Sequence, residues 1–130
     1  DEDLKHVFLQ NRYFIRALLF LSSGTAFGDI PMPLKPTNSV ETTAHKKIDE
    51  VWNQIVTDLE FAVENLPETY QASEFGHITK YAAMHHLSRV YLTLKRSDDD
   101  LKKALNYAEQ VINSGKYSLV KSHAELWDYQ

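Results

Sequence analysis

Six histidines, His6, His45, His77, His85, His86 and His123, carry the widest chemical repertoire in this chain, and a metal site is the first thing they could build. Their spacing does not build one. His85 and His86 are neighbours on a helix and point about 100° apart, while His45 and Asp49 stand at i, i+4 with no third ligand nearby in sequence. No metal and no cofactor is expected. Cleavage of a glycoside needs two carboxyl groups facing each other across a cleft. Glu60 and Glu64 share a helix face, and Glu68 and Glu74 fall in the connection that follows, a distribution that belongs to the wet side of an amphipathic helix. The chain has no Gly-rich phosphate loop, no Gly-x-Ser-x-Gly and no cysteine, so catalysis, thiolate ligation and disulfides are not expected. Binding a sugar without breaking it needs flat aromatic faces and hydrogen-bonding partners. Tyr70, Phe75 and Tyr129 are the aromatics least committed to a helical stripe, and Tyr70 and Phe75, in one polar connection, are the candidate ligand-binding residues. Packing of a loop aromatic on its own scaffold is the competing explanation for both.

The elements that must position these residues are helices, expected near 4–22, 43–66, 79–95 and 99–114. The chain is organised around the last two. Ala83, Met84, Leu87, Val90, Tyr91 and Leu94 recur at three- and four-residue steps, and so do Leu101, Ala104, Leu105, Ala108, Val111 and Ile112, which predicts two helices folded back on each other. Small residues at Ala82, Ala83, Ser88, Ala104 and Ala108 allow close approach. Thr79 is placed to cap the first helix, and Gly115 to close the second in a left-handed conformation. Leu87, Ser88 and Tyr91, followed by Ala104 and Ala108, resemble the packing positions of a tetratricopeptide repeat. The repeat places its alanine about nine residues after the tyrosine. Here the interval is thirteen, so the loop from Lys95 to Asp100 is expected to hold the surplus.

Upstream, Tyr13 to Leu21 is apolar on most sides and predicts a helix buried on most sides, with Arg16 reaching an acid or a row of backbone carbonyls. Three prolines, Pro31, Pro33 and Pro36, make residues 25–39 an extended connection, with Phe27, Ile30 and Met32 expected to point inward. Ile48, Val51, Trp52, Ile55, Leu59, Ala62, Val63 and Leu66 form the clearest helical stripe, with Trp52 as a core anchor, Asp49, Glu50, Asp58, Glu60 and Glu64 mostly on the wet side, and Pro67 as terminator. No strand pair is expected, so the fold class is all-α, a single domain of antiparallel helical hairpins with long ordered loops.

At 130 residues one core is feasible. Fourteen Lys and Arg against eighteen Asp and Glu give a net charge of −4 without a basic stripe, which excludes the electrostatic footprint of a nucleic-acid binder. No apolar run is long enough to span a bilayer. The first residue is Asp1 and the last is Gln130, which reads as an internal portion of a longer protein.

Several patterns in order resemble the SusD/RagB family of surface-exposed glycan-binding lipoproteins in the outer membrane of Bacteroidetes-type bacteria. They are Phe14-Ile15-Arg16-Ala17, Phe27-Gly28-Asp29-Ile30-Pro31, Val51-Trp52-Asn53-Gln54-Ile55 through Leu59 with Asn65-Leu66-Pro67, Thr79-Lys80-Tyr81-Ala82-Ala83, Arg89-Val90-Tyr91-Leu92, and Ala108 through Gly115-Lys116-Tyr117-Ser118-Leu119. The resemblance implies a tetratricopeptide-like helical scaffold in which Arg16, Phe27, Gly28, Asp29, Pro31, Trp52, Tyr91 and Gly115 are structural. It also implies a complete protein that captures oligosaccharides at the cell surface, is held to the membrane by a lipid anchor outside this chain, and passes its ligand to a SusC-like TonB-dependent transporter. Asn11 and Arg12 stand where the family usually has an acid ahead of the Phe-Leu-Arg-Ala pattern. An adaptor that binds a peptide in a tetratricopeptide groove is the alternative.

Overall fold

The computed structural model describes residues 2–35, 44–71 and 76–127, with side chains from residue 11. Among the described residues four α-helices carry the fold: α1 (Glu2–Phe27), α2 (Ile48–Asn65), α3 (Lys80–Leu94) and α4 (Asp98–Asn113). Helices adjacent in sequence pack on each other, most closely α1 on α2 and α3 on α4. Phe14, Ala17 and Phe20 of α1 meet Val51, Ile55, Leu59, Ala62 and Val63 of α2; Ala83, Met84, Leu87, Val90 and Tyr91 of α3 continue the same core, and Ala104 of α4 closes it. Burial of these side chains is the principal stabilising contribution, at about 25 cal/mol per Å² of apolar surface. Among the described residues no helix is long and apolar enough to cross a membrane.

The first helix is longer than its sequence suggests, running through Ser22-Ser23-Gly24 instead of ending near residue 22. Gly24 is buried against α2, where an added Cβ would stand 3.3 Å from Ile48 Cδ1 and 3.4 Å from Val51 Cγ1. The glycine therefore permits close helix contact and does not end the helix. The stop comes at Gly28, with φ +74° and its N–H donating to the Gly24 carbonyl at 2.9 Å.

Two short strands, β1 (Ile30–Pro31) and β2 (His45–Lys46), pair antiparallel, Ile30 opposite Lys46 and Pro31 opposite His45. This corrects the expectation of no strand pair, and β2 moves the start of α2 from residue 43 to Ile48. Of the three side chains expected to point inward from this connection, Ile30 is buried and Met32 half-buried, but Phe27 is 80% exposed. The helix continues to Phe27, so the side chain follows the helical turn outward.

Trp52 packs on the edge of the core and remains half-buried, a weaker anchor than a stripe residue suggests. The opposite correction applies to Asp58, which is 1% exposed and not on the wet side. Val51, Ile55, Asp58 and Ala62 form one line along α2, and Asp58 is admitted to it by Arg16.

In α4 the packing stripe lies about one residue around from the expected one. Asp100 and Ala104 are buried and Tyr107 and Val111 half-buried, whereas Leu105 is 60% and Ile112 73% exposed. The connection from α3 is short, Lys95 to Ser97, and the surplus residues belong to the first turn of α4. Lys95 takes the left-handed conformation (φ 46°). Ser97 Oγ accepts from the Asp100 N–H at 3.2 Å, and Asp100 accepts from the Arg96 N–H at 3.0 Å, a reciprocal cap that explains why an aspartate is buried there. Arg96 also donates to Asn53 Oδ1 at 2.9 Å, joining this turn to α2.

Candidate functional site

The connection between α2 and α3 is closed at its base. Pro67 ends α2, and its carbonyl accepts from the N–H of Lys80, the first residue of α3, at 2.8 Å. The ends of the connection are thereby joined, and loops held at their ends by a scaffold commonly carry binding residues. Thr79 caps α3, its Oγ1 accepting from the Ala82 N–H at 3.3 Å. Gly115 (φ +65°) turns the chain after α4 back across the start of α3, which delivers Lys116 and Tyr117 to the same place.

These two segments enclose an open groove of about 650 Å³ lined by Glu68, Tyr70, His77, Thr79, Lys116 and Tyr117, among others. The Tyr70 and His77 rings lie 5.1 Å apart and tilted by 36°. Tyr117 shares a hydrogen bond with Thr79 Oγ1 at 3.0 Å and presents its ring edge-on to Tyr81 at 6.0 Å. Lys116 Nζ and the Tyr81 hydroxyl both donate to Glu68 Oε2, each at 3.1 Å, and the Lys116 ammonium lies 5.1 Å from the Tyr81 ring centre. Lys116 first, and the Tyr81 hydroxyl second, hold the Glu68 carboxyl below its ordinary pKa. The groove is thus walled by aromatic rings, carries hydroxyl, imidazole and carboxylate groups, and has its ammonium paired to an acid.

Of the two ligand-binding candidates, Tyr70 lines this groove, while Phe75 lies outside the described residues, as do Glu74 and Tyr129. In sequence His77 stands out only as a possible metal ligand, and Lys116 and Tyr117 only within a family pattern; none of the three is a ligand-binding candidate there. Lys116 stands 48 residues from Glu68, and no local pattern announces a contact made by the return of the chain after α4.

Several of the motif residues make contacts between elements. Arg16 donates from Nε and Nη2 to the two Asp58 oxygens at 2.7 and 2.6 Å, and Gln54 adds a donor at 2.8 Å. This fork matches guanidinium to carboxylate and ties α1 to α2. Asp29 accepts from the Ile48 N–H at 2.9 Å and from Lys47 Nζ at 2.8 Å, so a residue of the Phe27-to-Pro31 segment supplies the cap that Lys47 cannot. The lysine contact, then the Ile48 N–H, lower the Asp29 pKa. Phe27 and Pro31 line an apolar notch of about 740 Å³ beside the end of α1. Tyr91 donates to Glu60 Oε1 at 2.7 Å and lies parallel to Tyr107, with burial and then that hydrogen bond raising its pKa.

Among the described residues, no group of three or more His, Asp or Glu side chains is gathered closely enough to hold a metal ion. His45 Nδ1 faces the Asp29 carbonyl at 3.1 Å, His85 and His86 stand 5.6 Å apart, and His123 packs near Trp127. The side chain of His6 lies outside the described set.

The family model described as starch-binding and associating with the outer membrane, SusD-like_3, matches residues 2–92. The chain belongs to the SusD-like family. A SusD-like protein of Formosa agariphila is 30% identical over 117 residues, covering 88% of this chain and 22% of that protein. One of Bacteroides ovatus is 30% identical over 105 residues, covering 75% of this chain and 17% of its own length. The chain therefore spans about a fifth of the length of the curated relatives it matches. A SusD-like protein of Bacteroides fragilis, solved by crystallography, shares 26% identity with a TM-score of 0.77 over 92% of this chain and 23% of that one. The same fold recurs, at 24% identity and a TM-score of 0.87, in a protein crystallised with a xylogluco-oligosaccharide, covering 97% of this chain and 27% of that chain. It recurs at 23% identity and 0.84 in a laminarin-binding SusD-like protein, covering 98% and 28%. Among the described residues, the SusD-like fold is thus helical in this chain apart from one short strand pair.

Proposed function

We propose that the complete protein captures oligosaccharides at the outer membrane surface without cleaving them, and that this chain supplies the helical frame on which capture is organised. The observation that carries the reading is the family match over residues 2–92, on a fold that recurs in a laminarin-binding SusD-like protein and in a protein crystallised with a xylogluco-oligosaccharide. The geometry agrees in kind. Helix is joined to helix by fixed polar clamps, Arg16 on Asp58 and Asp29 on the α2 terminus, which suits a rigid scaffold that holds its binding surface ready-made. Glu60 and Glu68 each accept a hydrogen bond from a tyrosine hydroxyl.

The finer parts of the proposal are a lipid anchor, delivery to a SusC-like TonB-dependent transporter, and a role in nutrient uptake. The test uses the full-length protein in its native membrane. Affinity purification is expected to bring down a TonB-dependent transporter, and a glycan array is expected to show retention of neutral polysaccharides. Purification with no transporter, or an array with no glycan retained, would contradict the corresponding part.

A further inference from the structure

We infer that the groove between the α2–α3 loop and the turn after α4 is itself a carbohydrate subsite, taking one or two rings of a neutral oligosaccharide between Tyr70, His77 and Tyr117. The inference rests on the glycan-capture reading and adds to it a place on the helical frame.

Four observations carry it. The groove, about 650 Å³, falls within the roughly 300–1,000 Å³ of small-ligand clefts. Aromatic residues line it: Tyr70 and His77, whose rings lie 5.1 Å apart, and Tyr117, which is 53% exposed while its hydroxyl is fixed to Thr79. A pyranose presents an apolar C–H face to such rings and hydroxyls around its rim, and hydroxyls need partners that both donate and accept. Glu68, His77 and Thr79 supply those partners along the groove. The charge pattern selects among sugars, because Lys116 is already held by Glu68 at 3.1 Å, so an acidic sugar would meet a cation that has been neutralised. Finally, the ends of the loop are joined by the Lys80 N–H on the Pro67 carbonyl, and the turn is tethered by Lys116 on Glu68 and Tyr117 on Thr79, so the turn needs little ordering on binding.

The test is hydrogen exchange read by mass spectrometry on the full-length protein, with laminarihexaose, xyloglucan heptasaccharide and the anionic trigalacturonate as probes, alongside calorimetry. A neutral probe is expected to slow exchange in residues 67–71, 76–79 and 115–118. Tyr70→Ala and Tyr117→Ala are each expected to abolish that protection and weaken binding there by about tenfold, the loss of one aromatic contact. Both substitutions lie outside the helices, and an unchanged melting curve separates lost binding from lost fold. Calorimetric binding with protection confined to other segments would overturn the subsite and leave capture standing. Protection by trigalacturonate equal to that by the neutral probes would overturn its selectivity. Failure of all three probes to bind the unaltered protein would overturn both readings.

Discussion

Asp58 is the residue whose position is least explicable by its own type. An aspartate at 1% exposure on the core face of α2 is tolerable only because Arg16 and Gln54 between them donate three hydrogen bonds to it. Removing one partner of such a pair is worse than removing both, because the survivor is left desolvated. Asp58→Ala is expected to destabilise the fold by about 3 kcal/mol, and the double change Arg16→Met with Asp58→Leu by clearly less. Chemical denaturation checks this, and equal losses would show that the pair is not a mutual requirement. His86 makes a pH-dependent counterpart. It sits edge-on to Phe14 at 5.4 Å, and burial, ahead of the nearby His85 and Arg89, lowers its pKa. The folded protein therefore binds that proton less readily than the unfolded chain, where an imidazole titrates near about 6.5. Stability from this group is present above that value and is lost as pH falls through the lower folded value. The melting temperature is expected to drop more between pH 7.5 and 5 in the parent than in His86→Gln, and parallel profiles would contradict it. An arginine inside an apolar run was enough to predict that Arg16 has a partner. Which of five acids in the following helix it reaches depends on the rotation of α2 against α1, and that angle is written in no single residue.

At the scale of elements, periodicity located all four helices, and the misreadings cluster at their edges and in the fourth. Gly24 reads in sequence as a break, yet its missing side chain is what allows α1 to lie on Ile48 and Val51. Gly24→Leu is expected to cost about 2 kcal/mol by forcing the helices apart, whereas a glycine that merely ended a helix would tolerate it. Thermal melting of the two proteins decides. Trp52→Ala is expected to cost about 2 kcal/mol, less than the roughly 3–5 for a fully buried large aromatic, because part of the side chain remains exposed to water. In α4 two apolar lines lie side by side, Leu101, Leu105, Ala108 and Ile112 next to Ala104, Tyr107 and Val111, and composition favours the first. Packing selects the second because its small Ala104 lets α4 come close enough for Ser88 Oγ to donate to the Ala104 carbonyl at 2.7 Å. The short β1–β2 pair escaped notice since two residues cannot show alternation.

For the whole molecule, four helices packed in succession and clamped by Arg16, Asp29 and Arg96 make a frame that brings Glu68 and Lys116, 48 residues apart, onto one groove. The frame was legible because its signals are local and repeated. The groove was legible only in Tyr70, since its opposite wall is created by the return of the chain after Gly115. The central claim is capture without cleavage, and calorimetric titration of the full-length protein with laminarin- and xyloglucan-derived oligosaccharides, followed by mass analysis of the recovered sugar, tests it most directly. Saturable binding with the oligosaccharide recovered intact is the predicted result; absence of binding to every glycan tried, or recovery of shortened sugar, would contradict it.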